Sequence, residues 1–518
     1  MKRLQAIALG LGDRINPVVI KELRQAVQSR MVGGIVMLFL LVNLVYLAGY
    51  LMMNERVATS EVAGRELFFS LYCILVVTCM AFVPLYAAVR LAMERNDANI
   101  DLLFVTTISP GKIVRGKFFA AVALAVLIYS SCMPFLVLTY LLRGIDLPSI
   151  FVTLGVSLVF TAGVTMVAIF ASAVPGGWLL RLLIAGGLLF GMFYAVAGTI
   201  GFGYLMTSRG LGYFFRSSGE WTAWGIFALI YLTLWGLCYL LAVAALSTKA
   251  SNRMMPVRVF LTFCWLVFGA ALGGWSYSES AYEPALVWSI GIVGVFSAVL
   301  VFSLAERESW TPRVRRRIPR NILGRLAAWV FYTGSAGGVV WCLMIIGTSL
   351  LVGWTLLSYW EETSSALYGY SARNDFAFAI QFMSGIFLFA WNYTMSGLLV
   401  RRLFLPRTAP LVGSILAVVL LGLGGTIPIL AAWMFEGTHW NLRTLPIFYL
   451  LPNPYVLGDD HSSHWVVVYT FLIAWALLVW ILNIPWFAQQ WQAFVRHQRR
   501  SEYVPVIRAA EPPVPQNA

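Results

Sequence analysis

The chain alternates between long apolar runs and short polar breaks. Runs of about 20 apolar residues recur near 31–53, 67–89, 118–142, 150–174, 183–206, 221–246, 259–276, 284–304, 327–354, 377–400, 410–435 and 465–488. Each is long enough to cross the roughly 30 Å hydrocarbon core of a bilayer as a helix. Helices are the expected form, because lipid offers no partner to a backbone N–H or C=O. A membrane barrel would instead show short alternating strands. The pattern therefore predicts an all-α, polytopic integral membrane protein with 12 transmembrane helices.

Composition agrees with that reading. Of the 518 residues, 60% are hydrophobic and 11% charged, and the mean hydropathy is +0.81. A soluble domain carries about 25% charged residues. With the N-terminus in the cytoplasm, 29 of the 36 Lys and Arg and only 9 of the 22 Asp and Glu fall in cytoplasmic segments. An excess of Lys and Arg sets orientation, so both termini are expected to be cytoplasmic. The high pI is then a topology signal, and no nucleic-acid partner is implied. All six cysteines lie within spans, which predicts buried thiols and no disulfide framework. The first residues offer no convincing cleavage site.

The breaks between runs are too short to hold a folded domain. The division expected is a cytoplasmic interface helix in 1–30, six spans over 31–250 with a cytoplasmic loop at 90–117, a second six-span bundle over 251–488 that is either an accessory bundle or a diverged half, and a disordered, Pro-rich cytoplasmic tail over 489–518. Gly187 with Gly191, and Gly269 with Gly273, have the spacing of close helix packing, expected within one subunit. Asn43, Gln381, Asn392 and Asn483 are polar positions inside spans, expected to tie helices together. The segment 306–325 holds seven arginines, suited to anionic headgroups.

Two cytoplasmic stretches carry chemistry. In "NPVVIKELRQAVQSR", Asn16 can cap a helix and Pro17 suits its first position. Ile20, Leu23 and Val27 share a face apart from Lys21 and Arg24, with Glu22 between. An amphipathic helix lying along the membrane surface is expected there. The second stretch, "ERNDANIDLLFVTTISPGKIVRGKF" (94–118), holds seven charges between two spans. Glu94, Arg95 and Asp101 solubilise it, Leu103 and Phe104 contribute to a short apolar face, and Thr107 precedes a break. Ser109 and Pro110 read as the cap and first residue of a new helix. Lys112 and Lys117 follow near the membrane.

Together these stretches resemble the ATP-binding-cassette (ABC) type-2 exporter permeases over about residues 14–250. That family places an amphipathic helix with Asn-Pro before its first span. It joins spans two and three by Glu-Arg, acidic-Leu-Leu, Thr-Thr, Ser-Pro and Gly-Lys, here Glu94-Arg95, Asp101-Leu102-Leu103, Thr106-Thr107, Ser109-Pro110 and Gly116-Lys117. The family's Gly-Thr after Glu-Arg is replaced by "NDANI". The resemblance implies a permease subunit with no catalytic residues or cofactor of its own, docked on an ABC ATP-binding subunit, in two copies, that holds ATP and Mg. It further implies a bacterial-type inner membrane and a homodimer or a second permease. The chain has no G-x-x-x-x-G-K-[ST] phosphate loop.

Two other classes stay open. A 12-span secondary transporter fits the hydropathy, although the predicted spans lack the charged groups common in ion-coupled carriers. A membrane enzyme is the third: Asp459, Asp460, His461 and His464, with His439 in the same outer loop (436–464), have the chemistry of a divalent-metal site.

Overall fold

The computed structural model describes residues 17–53, 63–96, 109–142, 144–175, 178–214, 216–248, 251–278, 283–306, 310–368, 370–408, 410–434 and 462–501. Among them every regular element is a helix. Among the described residues, eleven helices are long and apolar enough to cross a membrane. The protein is thus an all-α polytopic membrane protein. The remaining predicted span meets Leu411–Met434, of which Leu411–Gly424 is counted as a shorter apolar helix. The chain forms two compact units, Met1–Thr248 and Lys249–Ala518.

Unit 1 contains α1 (Pro17–Val27), α2 (Arg30–Met53), α3 (Ala63–Asn96), α4 (Pro110–Leu141), α5 (Leu147–Ala173), α6 (Trp178–Arg209) and α7 (Ser218–Leu246). Its centre is α3. Leu67, Phe68, Leu71, Tyr72, Leu75, Val76, Cys79, Met80 and Val83 of that helix are all buried. They pack among α4, α5 and α6. The Tyr72 hydroxyl donates to the Thr199 carbonyl of α6 at 3.0 Å. A β-carbon at Gly203 would lie 2.2 Å from the Tyr72 ring, so only glycine admits that approach. Across α4 and α5, Tyr129 donates to Ser157 at 3.0 Å. Such bonds are needed where no water can satisfy a buried hydroxyl.

Unit 2 contains α8 (Met255–Ser278), α9 (Glu283–Ser303), the short α10 (Pro312–Arg315), α11 (Ile322–Phe331), α12 (Ser335–Tyr368), α13 (Tyr370–Phe404), α14 (Leu411–Met434) and α15 (Ser462–Ser501). Val293, Phe296 and Leu300 of α9 are the middle of its core, against Trp341 and Cys342 of α12 and Trp391 of α13. Arg258, near the start of α8, is 2% exposed. Its guanidinium donates to the carbonyls of Val330 at 2.6 Å, Tyr332 at 2.7 Å and Gly334 at 3.0 Å, and to the Glu306 carboxylate. Glu306 also accepts from the Gly334 N–H at 2.9 Å. The turn between α11 and α12 is thereby sewn to α8. A β-carbon at Gly337 would meet the Trp329 carbonyl oxygen at 2.0 Å, which fixes glycine there.

The intramembrane asparagines divide. Asn392 donates to the Leu472 carbonyl at 3.1 Å and Asn483 to that of Met395 at 3.3 Å, so both tie α13 to α15 as expected. Asn43 instead donates to Phe39 within its own helix, at 2.7 Å. The glycine expectation needs correcting. A β-carbon at Gly187, Gly191 or Gly273 would meet no described atom within 4 Å. Only Gly269 packs closely, with the Trp288 ring 3.2 Å from its would-be β-carbon. None of the six cysteines is in a disulfide, and four of them (Cys79, Cys132, Cys264 and Cys342) are buried.

Candidate functional site

At one end of unit 1, three elements converge on Lys117. The first is α1. Pro17 is its first residue, fitting a ring with no N–H to lose at a helix start. Glu22 and Ala26, one turn apart, are buried and face α4. Ile20 and Val27 lie on the exposed face. The helix is amphipathic as its periodicity predicts, but its buried face carries a carboxylate. That face follows from the partner rather than from hydrophobicity.

The second element is the end of α3. This helix has 34 residues and so runs about 50 Å, well beyond the roughly 30 Å apolar core. Its last turns carry Arg90, Glu94 and Arg95 out of the predicted span. The third is the beginning of α4. Ser109 takes the cap position with extended dihedrals (φ −70°, ψ 145°) and Pro110 is the first helical residue. The Ser109 side chain makes no capping bond; its carbonyl accepts from the Lys112 N–H at 2.9 Å. The helix then continues unbroken to Leu141. Lys117 is therefore eight residues into a helix, flanked by buried Val114, Phe118 and Ala121.

A lysine there must be paired, since an isolated buried ammonium is far too costly. The Lys117 ammonium lies 2.9 Å from the Glu22 carboxylate and 2.8 Å from that of Glu94. The side chains of Lys117 and Glu22 are 3% and 6% exposed, and that of Glu94 is 30% exposed. Lys21, largely in solvent, approaches Glu94 at 3.5 Å. One turn before Glu94, Arg90 donates to the Tyr86 hydroxyl at 3.3 Å, its guanidinium 5.6 Å above the same ring.

The geometry is that of a clamp. One ammonium joins the amphipathic helix to the exit of one span and the entrance of the next. Residues 97–108 leave and re-enter the described structure at the two helix ends that this ammonium ties together.

Of the residues singled out in the sequence, Glu22, Lys21, Glu94 and Lys117 meet in one network. Lys112 and Arg24 are exposed beside it, and Pro17, Ser109 and Pro110 start the two helices. Asn16, Asp101, Leu103, Phe104 and Thr107 lie outside the described residues, as does the side chain of Arg95. So do Asp459, Asp460, His461 and the side chain of His464. Among the described residues, no group of three or more His, Cys, Asp or Glu could hold a metal. Sequence reasoning missed that Glu22, Glu94 and Lys117 are partners of one another. It missed Arg258 and Glu306 altogether, though an arginine inside the apolar run "PVRVFLTF" was a signal.

The chain matches no protein-family model, no curated protein and no solved structure.

Proposed function

We propose that the chain is the membrane-spanning permease subunit of an ABC exporter, moved by ATP hydrolysis in a separate ATP-binding subunit. The observation that carries this reading is the buried Glu22–Lys117–Glu94 network at the root of the 97–108 loop. A loop grasped by a soluble motor is useful only if its displacement reaches the spans. Here one buried cation fastens α1, α3 and α4 together, so the three move as one body.

In this reading both termini and the 97–108 loop are cytoplasmic, in a bacterial-type inner membrane. Two ATP-binding subunits, with ATP and Mg, press on α1 and the loop through Arg24, Lys112, Asp101 and Phe104. The translocation path is built by unit 1 with a second protomer. The Gly187–Gly191 face of α6, with no described atom against its glycines, is suited to close helix approach by such a protomer.

The test is purification of the full chain with tagged candidate ATP-binding subunits and measurement of hydrolysis. Co-purification with stimulated hydrolysis is expected. Absence of any such partner, with transport persisting after ATP depletion under an intact proton gradient, would overturn the reading in favour of an ion-coupled carrier.

A further inference from the structure

A groove of about 740 Å³ opens on the side of unit 1 next to the clamp. Its floor is made of two adjacent i, i+4 rows of α3. One is Val77, Ala81, Leu85 and Val89; the other ends in Tyr86 and Arg90. Ser29 and Met31, at the junction of α1 and α2, form the facing wall. The lining is mostly apolar, broken by the hydroxyls of Ser29 and Thr78, and its one charged residue, Arg90, is toward one end. From Val77 to Arg90 the groove follows about 20 Å of helix. That is about the depth of one leaflet, half of a roughly 30 Å core plus its headgroup layer. Arg90 comes immediately after the apolar run, at the depth where headgroups begin.

The charge balance selects the occupant. Among the described residues around Lys117, two carboxylates, Glu22 and Glu94, face three cations, Lys21, Lys117 and Arg90. The two lysines are held by the two carboxylates. The five groups together carry a net charge of +1, and Arg90, which also feels Glu22 and Glu94, alone of the five lines the groove. Tyr86 occupies its Nε and stacks beneath it, which fixes the guanidinium in place. A fixed guanidinium matches the paired oxygens of a phosphate. The exposed Arg30, between Ser29 and Met31, adds positive field at the same rim and disfavours the cationic end of a zwitterionic headgroup.

We propose that this groove is a binding site for one anionic phospholipid, with its phosphate on Arg90 and an acyl chain along Val77, Ala81 and Leu85. The proposal stands apart from the exporter reading, since it holds for any protein with this groove.

The experiment uses the full chain purified from mixed bilayers of phosphatidylglycerol and phosphatidylcholine, with retained lipid quantified by mass spectrometry. Wild type should retain phosphatidylglycerol selectively. Arg90→Gln should lower that retention about fivefold, the scale of one cation near an anionic surface, and leave phosphatidylcholine unchanged. Arg209→Gln, the same charge change at the far end of α6, should have no effect. Ala81→Trp keeps every charge and fills the groove, so it should lower retention of phosphatidylglycerol even if Arg90→Gln fails to fold. Equal retention of both lipids by wild type, or undiminished selectivity in Ala81→Trp, would overturn the proposal. Displacement of the lipid by millimolar inorganic phosphate would also overturn it, showing a free-anion site instead.

Discussion

Lys117 and Arg258 are both cations sunk near the start of a membrane helix, one in each unit, and the two are held differently. Arg258 spends its fork on three backbone carbonyls and one carboxylate. Backbone groups of one turn cannot leave separately, so this is a fixed joint. Burial pushes the Glu306 carboxyl above its ordinary range, while Arg258 and the Gly334 N–H pull it the other way. Lys117 offers a point charge to two side chains, and one of these, Glu94, is partly in water. A compact ammonium can trade one carboxylate for another at modest cost, whereas a guanidinium bound on several sides cannot. The difference teaches how the helices are fastened: unit 2 is stapled at its helix turn through backbone groups, and in unit 1 side chains alone hold α1, α3 and α4 together.

The contrast can be broken by mutation. The largest effect is expected from Arg258→Met, which strands Glu306 and three buried carbonyl groups. It should cost about 4–5 kcal/mol. The buried Cys342 thiol in unit 2 should become open to maleimide at a much lower temperature. Lys117→Met leaves two carboxylates facing one another and should cost about 3–4 kcal/mol. Its signature is maleimide labelling of Cys79 and Cys132, with Cys342 still protected. Equal exposure of both units in either variant would show that the two joints are not independent.

Smaller changes sharpen the comparison. Glu22→Gln keeps a hydrogen-bond acceptor for Lys117 and leaves Glu94 as its counter-charge, so a loss of about 1–2 kcal/mol is expected. If the chain works with an ATP-hydrolysing partner as proposed, stimulated hydrolysis should fall further than stability does, because α1 is then only loosely tied to α4. Lys21→Ala, removing an exposed pair at 3.5 Å, should change melting by less than about 1 kcal/mol. A large effect of Lys21→Ala would mean that the network is organised around Glu94 rather than Lys117.

The membrane helices were legible because a bilayer demands long apolar runs, and each predicted span meets a helix. The start of α4 was legible because Ser109–Pro110 is a local signal that tertiary contacts rarely override. What periodicity could not reveal was depth. Hydropathy ends a span at the last apolar residue, while α3 and α4 continue past it and bring Glu94 and Lys117 together. Glu22 and Lys117 are 95 residues apart in the chain, and no local rule pairs them. The Gly187–Gly191 spacing misled for a related reason: it records that close approach is possible, not which helix makes it.

The most direct test places a photoactivatable cross-linker at Phe104 in cells and identifies the adduct. If the clamp passes on the push of a motor, the adduct is an ATP-hydrolysing protein, and Lys117→Met keeps the adduct while abolishing stimulated hydrolysis. Adducts with bilayer lipid alone, or labelling of Phe104 from the extracellular side, would contradict it.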